Sequence, residues 1–208
     1  MEVDTEDDLK QAFKEQAREA LRDYKIAVVN IVATFDLTTK IDLKDLVLKA
    51  RNVEYNPRRF HGAVMRHREP KATTIIFASG KVVAVGLKEE AELERVAQKV
   101  ESIVRKIGFE EAAARWITIQ NITATGSAPH KVRLEGLLQG HARFCSFEPE
   151  LFPALYYRML EPKMCFMVFV SGKVVVCGAK TIEDIWEGFE KLQPVLLQFK
   201  LRDRRIDI

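Results

Sequence analysis

The chain repeats itself, and this constrains the fold of its 208 residues more than any other feature. Phe77-Ala-Ser-Gly-Lys-Val-Val-Ala-Val-Gly86 returns as Phe169-Val-Ser-Gly-Lys-Val-Val-Val-Cys-Gly178, an offset of 92 residues. The same offset pairs Arg66 with Arg158, Glu69-Pro70 with Glu161-Pro162, Asn56-Pro57 with Glu148-Pro149, and Phe60 with Phe152. Near the start of each copy, Asn30 pairs with Asn121 at an offset of 91, a slip of one loop residue. Residues 25–112 and 113–203 therefore read as two copies of one unit, between a leader over 1–24 and a tail over 204–208. Two copies are too few for an open solenoid. A pseudo-two-fold pair sharing one sheet is the expected arrangement.

Each copy reads as strand, helix, four strands and a long helix, an α+β pattern. Residues 26–35 are rich in Ile and Val and predict a strand. Leu43, Leu46, Val47 and Ala50 have helical spacing over 43–50. Short strands follow at 54–55, 63–68, 73–78 and 81–85, with a hairpin turn at Ser79-Gly80 where glycine supplies a positive φ. The pattern over 89–107 is an amphipathic helix ended by Gly108. The second long helix is expected over 182–199, with Pro194 kinking or restarting it. A further amphipathic helix is expected over 9–24.

The central strands do not alternate apolar with polar, as antiparallel strands with one wet face do. Ile75, Phe77, Val83 and Val85 would share one face; Thr74, Ile76, Ala78, Val82 and Ala84 would share the other. The long helices can cover only one face. The second is either core, as in a barrel or a swapped sandwich, or an exposed apolar patch that marks a binding site. Cations favour the latter. Arg58, Arg59, Arg66, Arg68, Lys81 and Lys88 crowd the strand ends of copy one, and Arg158, Lys163, Lys173 and Lys180 those of copy two. An apolar face rimmed by Lys and Arg suits a DNA minor groove, whose floor is sugar edge and sparse acceptors and whose flanks are phosphates.

Charge agrees with that reading. The net charge is +3, but residues 1–24 hold eight acids and four bases, so the leader is at −4 and the remainder at about +7. The N-terminus lacks the apolar segment of a secretory signal, and no run of 18 apolar residues is present to span a membrane. Cys145, Cys165 and Cys177, without a CxxC, read as free thiols. His61, His67, His130 and His141 lack ligand spacing, and His61 and His67 read as surface residues. No nucleophile elbow, phosphate loop, dinucleotide fingerprint or zinc-protease motif is found, so no catalytic residue, metal or cofactor is expected.

These blocks together resemble the TATA-box-binding protein family over residues 26–200. The resemblance rests on Ala50-Arg-Asn-Val-Glu-Tyr-Asn-Pro-Arg-Arg-Phe60, Met65-Arg-His-Arg-Glu-Pro70, Ile119-Gln-Asn121, Arg133-Leu-Glu-Gly136, Glu148-Pro-Glu-Leu-Phe-Pro153 and the two Ser-Gly-Lys-Val-Val hairpins. It implies a saddle, with a curved antiparallel sheet concave toward DNA and helices on the convex side. It further implies that Phe60 with Phe77, and Phe152 with Phe169, wedge into base steps, a mode for which this family is the standard example. Asn30 and Asn121 would donate to groove-floor acceptors beside Val32, Ile75, Val83 and Val85 in copy one and Thr123, Met167, Val175 and Cys177 in copy two. Val85 and Cys177 stand where the family usually has threonine, and Thr123 where it usually has valine, which implies relaxed TATA preference.

Glu148, Glu150 and Leu151 resemble the loop that docks transcription factor IIB. Lys99 and Lys106 fall where the family meets transcription factor IIA, repressors or a removal ATPase. The implied function is a nuclear initiation factor that binds and bends promoter DNA and assembles with transcription factors IIA and IIB, TBP-associated factors and the RNA polymerase machinery; a homodimer without DNA is also implied. The other readings are a relative with non-TATA specificity, a protein-interaction relative without DNA binding, and an apolar-ligand carrier.

Overall fold

The computed structural model describes Glu19 and residues 21–201. Most of the helix expected over 9–24, and the 204–208 tail, lie outside the described residues; Arg22–Tyr24 form one 3-10 turn. Contacts divide the chain into a unit Val28–Ile122 and a second unit that begins at Thr123 and includes the chain up to Ala27.

β1 (Ala27–Asp36) enters the first unit at Val28, and α1 (Leu43–Lys49), β2 (Val53–Glu54), β3 (Gly62–His67), β4 (Ala72–Phe77), β5 (Lys81–Leu87) and α2 (Ala91–Lys106) follow in order. The strands form an antiparallel sheet ordered β2-β3-β4-β5-β1. β6 (Arg115–Ser127) begins in the first unit and ends in the second. There, α3 (Leu134–Gly140), β7 (Cys145–Ser146), β8 (Ala154–Met159), β9 (Met164–Phe169), β10 (Lys173–Ala179) and α4 (Ile182–Gln198) repeat the pattern, with antiparallel order β6-β10-β9-β8-β7. Each unit is α+β, and the strand and helix order is the one that the duplication predicts.

Burial shows how each sheet is covered. β4 and β9 both alternate buried and half-buried residues along their whole length. In the first unit the buried set is Thr74, Ile76, Val82 and Ala84, on the side of α2, which lies along β5 and buries Leu93, Val96, Ala97, Val100 and Val104. Those helical positions recur at i, i+3, i+4, i+7 and i+11, one stripe of a 3.6-residue period. Ala78, expected on this face, falls one residue past the end of β4 and is exposed. In the second unit Phe166, Val168, Val174 and Val176 are buried, and α4 supplies Ile185, Phe189, Leu192 and Leu196. Phe166 meets Phe189 edge-to-face at 5.7 Å, over Gly188, where a Cβ would lie 2.9 Å from the Phe166 ring.

α4 starts in a capping box: the Thr181 hydroxyl accepts from the Asp184 N–H, and the Asp184 carboxylate accepts from the Thr181 N–H. It then runs through Pro194 as one helix, so the restart, one of the two outcomes expected there, does not occur. Pro194 is exposed, and Leu192 and Leu196 on either side of it are fully buried. Packing on both flanks holds the helix across the missing N–H.

The turns joining β4 to β5 and β9 to β10 also repeat. Gly80 N–H donates to Phe77 O and Gly172 N–H to Phe169 O, both at 2.9 Å. Gly80 and Gly172 have φ of +94° and +90°, and a Cβ on either would collide with a backbone carbonyl, of Thr39 or of His130. Glycine is required at both positions by conformation and by space.

His67 is not on the surface. It is the third inward residue of β3 after Ala63 and Met65, only 7% exposed, and its Nε2 lies 2.9 Å from the buried Thr74 hydroxyl. Burial, and then the nearby Lys99 ammonium, lower its pKa below the ordinary 6.5. A histidine with a depressed folded-state pKa is neutral in the fold and protonates first in the unfolded chain. Its burial therefore carries no proton-linked penalty above pH 6.5, and stability falls as the pH drops below that value. The matched residues in the second unit are Met159 and Phe166. A His67→Met, Thr74→Val double variant is expected to lose part of this acid sensitivity. The check is the drop in thermal midpoint between pH 7.5 and 5.5, which should be smaller in the variant than in the parent.

Candidate nucleic-acid interface

The face of each sheet turned away from its long helix is apolar and half-exposed. In the first unit, register places Val64, Ile75, Val83 and Thr34 in one row across β3, β4, β5 and β1. A second row is Arg66, Thr73 and Val85. At one end, Phe60 and Phe77 meet edge-to-face with centroids 6.1 Å apart, and Phe60 is 45% exposed. Gly62 pairs with Phe77 beneath them, and a Cβ there would lie 2.9 Å from the Phe60 ring and 2.7 Å from Ile75. An apolar ring pair held out toward solvent makes no sense as core, because its burial is left incomplete.

The second unit repeats this face. Tyr156, Met167 and Val175 form one row; Arg158, Cys165 and Cys177 form the next. Phe152 and Phe169 meet edge-to-face at 6.0 Å with an interplanar angle of 66°, the same angle as the first pair. Here Ala154 takes the place of Gly62, and Tyr156, matched to Val64, lies 5.8 Å from the Phe152 ring. Burial raises the pKa of Cys165, Cys177 adds to the rise, and Arg158 opposes it. Cys145 lies outside these rows, and burial pushes its thiol up to about 11. All three cysteines are free.

Asn30 and Val32 are half-buried on β1. The Asn30 Oδ1 accepts from the Gly86 N–H at 2.8 Å. A backbone N–H can only donate, so the oxygen of the amide must face Gly86 and the NH2 group faces away from it. Asn121 and Thr123 are half-buried on β6 and both are engaged in interactions of their own.

The cations take different positions. Arg66 donates to the Glu54 carboxylate at 2.6 Å, both side chains well exposed, whereas Arg158 reaches the neutral Ser146 hydroxyl at 3.3 Å. Lys81 and Lys173 open β5 and β10, on the same alternation as the half-exposed valines. Arg58, Arg59, Arg68, Lys88, Lys163 and Lys180 are exposed in turns and at strand ends.

The loops that carry Phe60 and Phe152 have the same backbone. Arg59 and Phe60 N–H donate to Asn56 O, and Leu151 and Phe152 N–H donate to Glu148 O. One backbone thus displays Arg58-Arg59 in the first unit and Glu150-Leu151 in the second, with Leu151 80% exposed. Lys99 on α2 is already occupied: its ammonium donates to Glu69 O at 2.7 Å, as Lys191 on α4 does to Glu161 O at 2.7 Å. Lys106 is exposed as the last residue of α2.

His130 contacts Leu196 O, and His141 stacks near Tyr157. Among the described residues no group of three or more His, Cys, Asp or Glu could hold a metal. No described helix is long and apolar enough to cross a membrane. Sequence reading missed Thr34, Val64, Thr73, Tyr156 and Cys165 on the open faces. Their signal was cross-strand register, since each lies directly opposite a residue that the repeat had singled out.

Two matching α+β units, each with a covered and an open apolar face, define a duplicated sheet protein. The model of the family "Transcription factor TFIID (or TATA-binding protein, TBP)" matches residues 25–107 and 116–199. The chain is 50% identical over 173 residues to the TATA-box-binding protein of Acanthamoeba castellanii, covering 82% of this chain and 66% of that one, just under two thirds. It is 46% identical over 200 residues to the TATA-box-binding protein of Saccharomyces cerevisiae, covering 94% and 82%. Among solved structures, the Methanococcus jannaschii TBP superposes with a TM-score of 0.71 at 31% identity, covering 83% of this chain and 98% of that one. The chain belongs to the TATA-box-binding protein family.

Proposed function

We propose that the chain is a general transcription initiation factor that binds promoter DNA in the minor groove at a TATA box, bends it, and nucleates the preinitiation complex in the nucleus. One observation carries this reading: both units hold a half-exposed, T-shaped phenylalanine pair at the end of an open apolar face. Among the described residues such a face has no partner in its own unit, and a minor groove opened by kinking is an apolar surface of matching kind. The repeats over 25–112 and 113–203 would each engage half of the site. Asn30 and Asn121 would read the acceptors that A·T and T·A both present. Val32, Ile75, Val83 and Val85, with Thr123, Met167, Val175 and Cys177, would supply the apolar floor contact. Val85 and Cys177 offer no strong donor, so preference would rest more on how easily the site kinks, as TA steps do.

The acidic turn Glu148, Glu150 and Leu151 would receive transcription factor IIB, while Lys106 and the turn-bound Lys99 would lie toward transcription factor IIA. TBP-associated factors and the RNA polymerase machinery follow from the same reading, as does self-association of the open face without DNA. Mobility shifts with TATA and GC-rich duplexes test it: tight binding to the first and weak binding to the second are expected. Equal binding would overturn TATA selection, and no binding would overturn the DNA reading.

The rim gives a quantitative form of the same test. Each phosphate contact contributes about 0.9 to the slope of log K against log salt. Arg158→Ala should therefore lower the slope by roughly 1, uniformly across sequences. Arg66→Ala should lower it by less, because Glu54 already neutralises that guanidinium. Losses that depend on sequence, with an unchanged slope, would mean that these arginines read bases.

A further inference from the structure

Trp116 stands beside the first phenylalanine pair and has no counterpart in the duplicated pattern. It is the second residue of β6, is 74% exposed, and holds a left-handed backbone at φ +53°. It walls a groove of about 600 Å³ floored by Phe77, Val83 and Thr34, with Lys81 and Asp36 on its other side. The floor is part of the open face, so a polymer lying on that face continues into the groove. The Asp36 Oδ1 already accepts from the Thr38 N–H at 2.7 Å, so Lys81 is the less committed charge there.

The matched position in the second unit, 91 residues earlier in sequence, is Lys25, which has the same left-handed backbone at φ +48°. The same correspondence sets Thr125 against Thr34 and Ser127 against Asp36, while Lys173 matches Lys81 at an offset of 92. The second unit thus presents lysines alone where the first presents an aromatic ring, a lysine and a carboxylate. An indole offers a flat apolar face and one N–H donor, which suit a deoxyribose ring and its phosphate. A lysine offers only charge.

We propose that Trp116 grips the sugar–phosphate backbone of DNA beside the Phe60–Phe77 pair, and that its contrast with Lys25 biases which way round the protein sits on a near-symmetric site. This rests on the DNA reading given above. The groove's continuity with the open face and the nearby Lys81 favour a nucleic-acid strand over a protein segment.

The chain has two tryptophans, so Trp186→Phe leaves Trp116 as the sole reporter. A dye-labelled TATA duplex is titrated while anisotropy reports DNA binding and indole emission reports Trp116. Emission should change along the same curve as anisotropy, and acrylamide quenching of Trp116 should fall at least about twofold on binding. Trp116→Ala should weaken binding roughly fivefold, in the lower range for a stacking contact with nucleic acid. Trp116→Lys gives both units a lysine at the matched position. It should move the ratio of DNA cleavage on the two sides of the site, by an iron chelate on the N-terminal amine, at least about twofold toward equality. Anisotropy that rises while Trp116 emission and quenching stay constant would overturn the proposal and leave the DNA reading intact. A flat anisotropy curve would overturn both. Should Trp186→Phe fail to fold, the difference between the parent and Trp116→Phe isolates the same signal.

Discussion

Replacing Phe60 and Phe77 together by alanine is expected to lower affinity for a TATA duplex by roughly 50-fold and to reduce the bend. Each ring is already partly buried against the other, so each has about 1–1.5 kcal/mol of burial left to gain, around half of a full phenylalanine transfer. The two together are about 2–3 kcal/mol, at about 1.4 kcal/mol per tenfold in affinity. Stability should suffer less. Phe60 is 45% exposed, and a loss of about 1 kcal/mol shifts the thermal midpoint by only about 2–4 °C in a chain of this size. The matched Phe152→Ala, Phe169→Ala variant should lose less affinity, because Tyr156 beside Phe152 still presents an aromatic surface where the first unit has Val64. Fluorescence transfer between duplex ends measures the bend, and a bend unchanged in both variants would remove the wedge role.

Charge reversal in the second turn is the other large effect. Glu148→Arg with Glu150→Arg is expected to abolish capture of transcription factor IIB on preformed protein–DNA complexes, at least about 100-fold, since opposed like charges at an interface cost several kcal/mol. DNA affinity should hold or rise slightly as acid is replaced by base near phosphates. The fold should be unaffected, because the turn rests on backbone bonds to Glu148 O that the side chains do not make. The first unit already carries Arg58 at the position matched to Glu150, so that half of the variant has an internal precedent. Normal recruitment by the reversed loop would remove Glu148, Glu150 and Leu151 from the docking assignment.

The duplication made the element order readable, because a motif found twice at one offset cannot be a chance turn. The two-faced strands were readable as well: Ile75, Phe77, Val83 and Val85 separate cleanly from Thr74, Ile76, Val82 and Ala84 by period-2 alternation. The same counting along β3 would have placed His67 inward with Ala63 and Met65, but its lack of ligand spacing to His61 or a cysteine pointed to the surface. Register was not readable. Nothing in a single strand says that Cys165 faces Cys177 or that Thr73 faces Val85. Pro194 was read by its local rule, while the buried residues on either side of it decide the outcome. Lys99 was read with Lys106 as a partner-contacting lysine of the long helix. Its bond to Glu69 O crosses 30 residues of sequence, which no local pattern encodes. Trp116 escaped because it departs from the repeat that guided everything else.

The hydrogen bond from Gly86 to Asn30 settles more than the pose of one amide. With Oδ1 committed to the Gly86 N–H, the amide presents donors alone to whatever lies on the open face. A groove floor made of acceptors satisfies it. The exocyclic amino group of guanine is itself a donor, so two donors would meet with neither satisfied, in a contact dried by the surrounding valines. Leaving a buried polar group unpaired costs about 1–3 kcal/mol. Within the proposed interface, base selection at this point is therefore exclusion: the protein turns guanine away by a mismatch of hydrogen-bonding sense. The residue that enforces the rejection is a glycine in the neighbouring strand, held at φ +93°, with no side chain of its own.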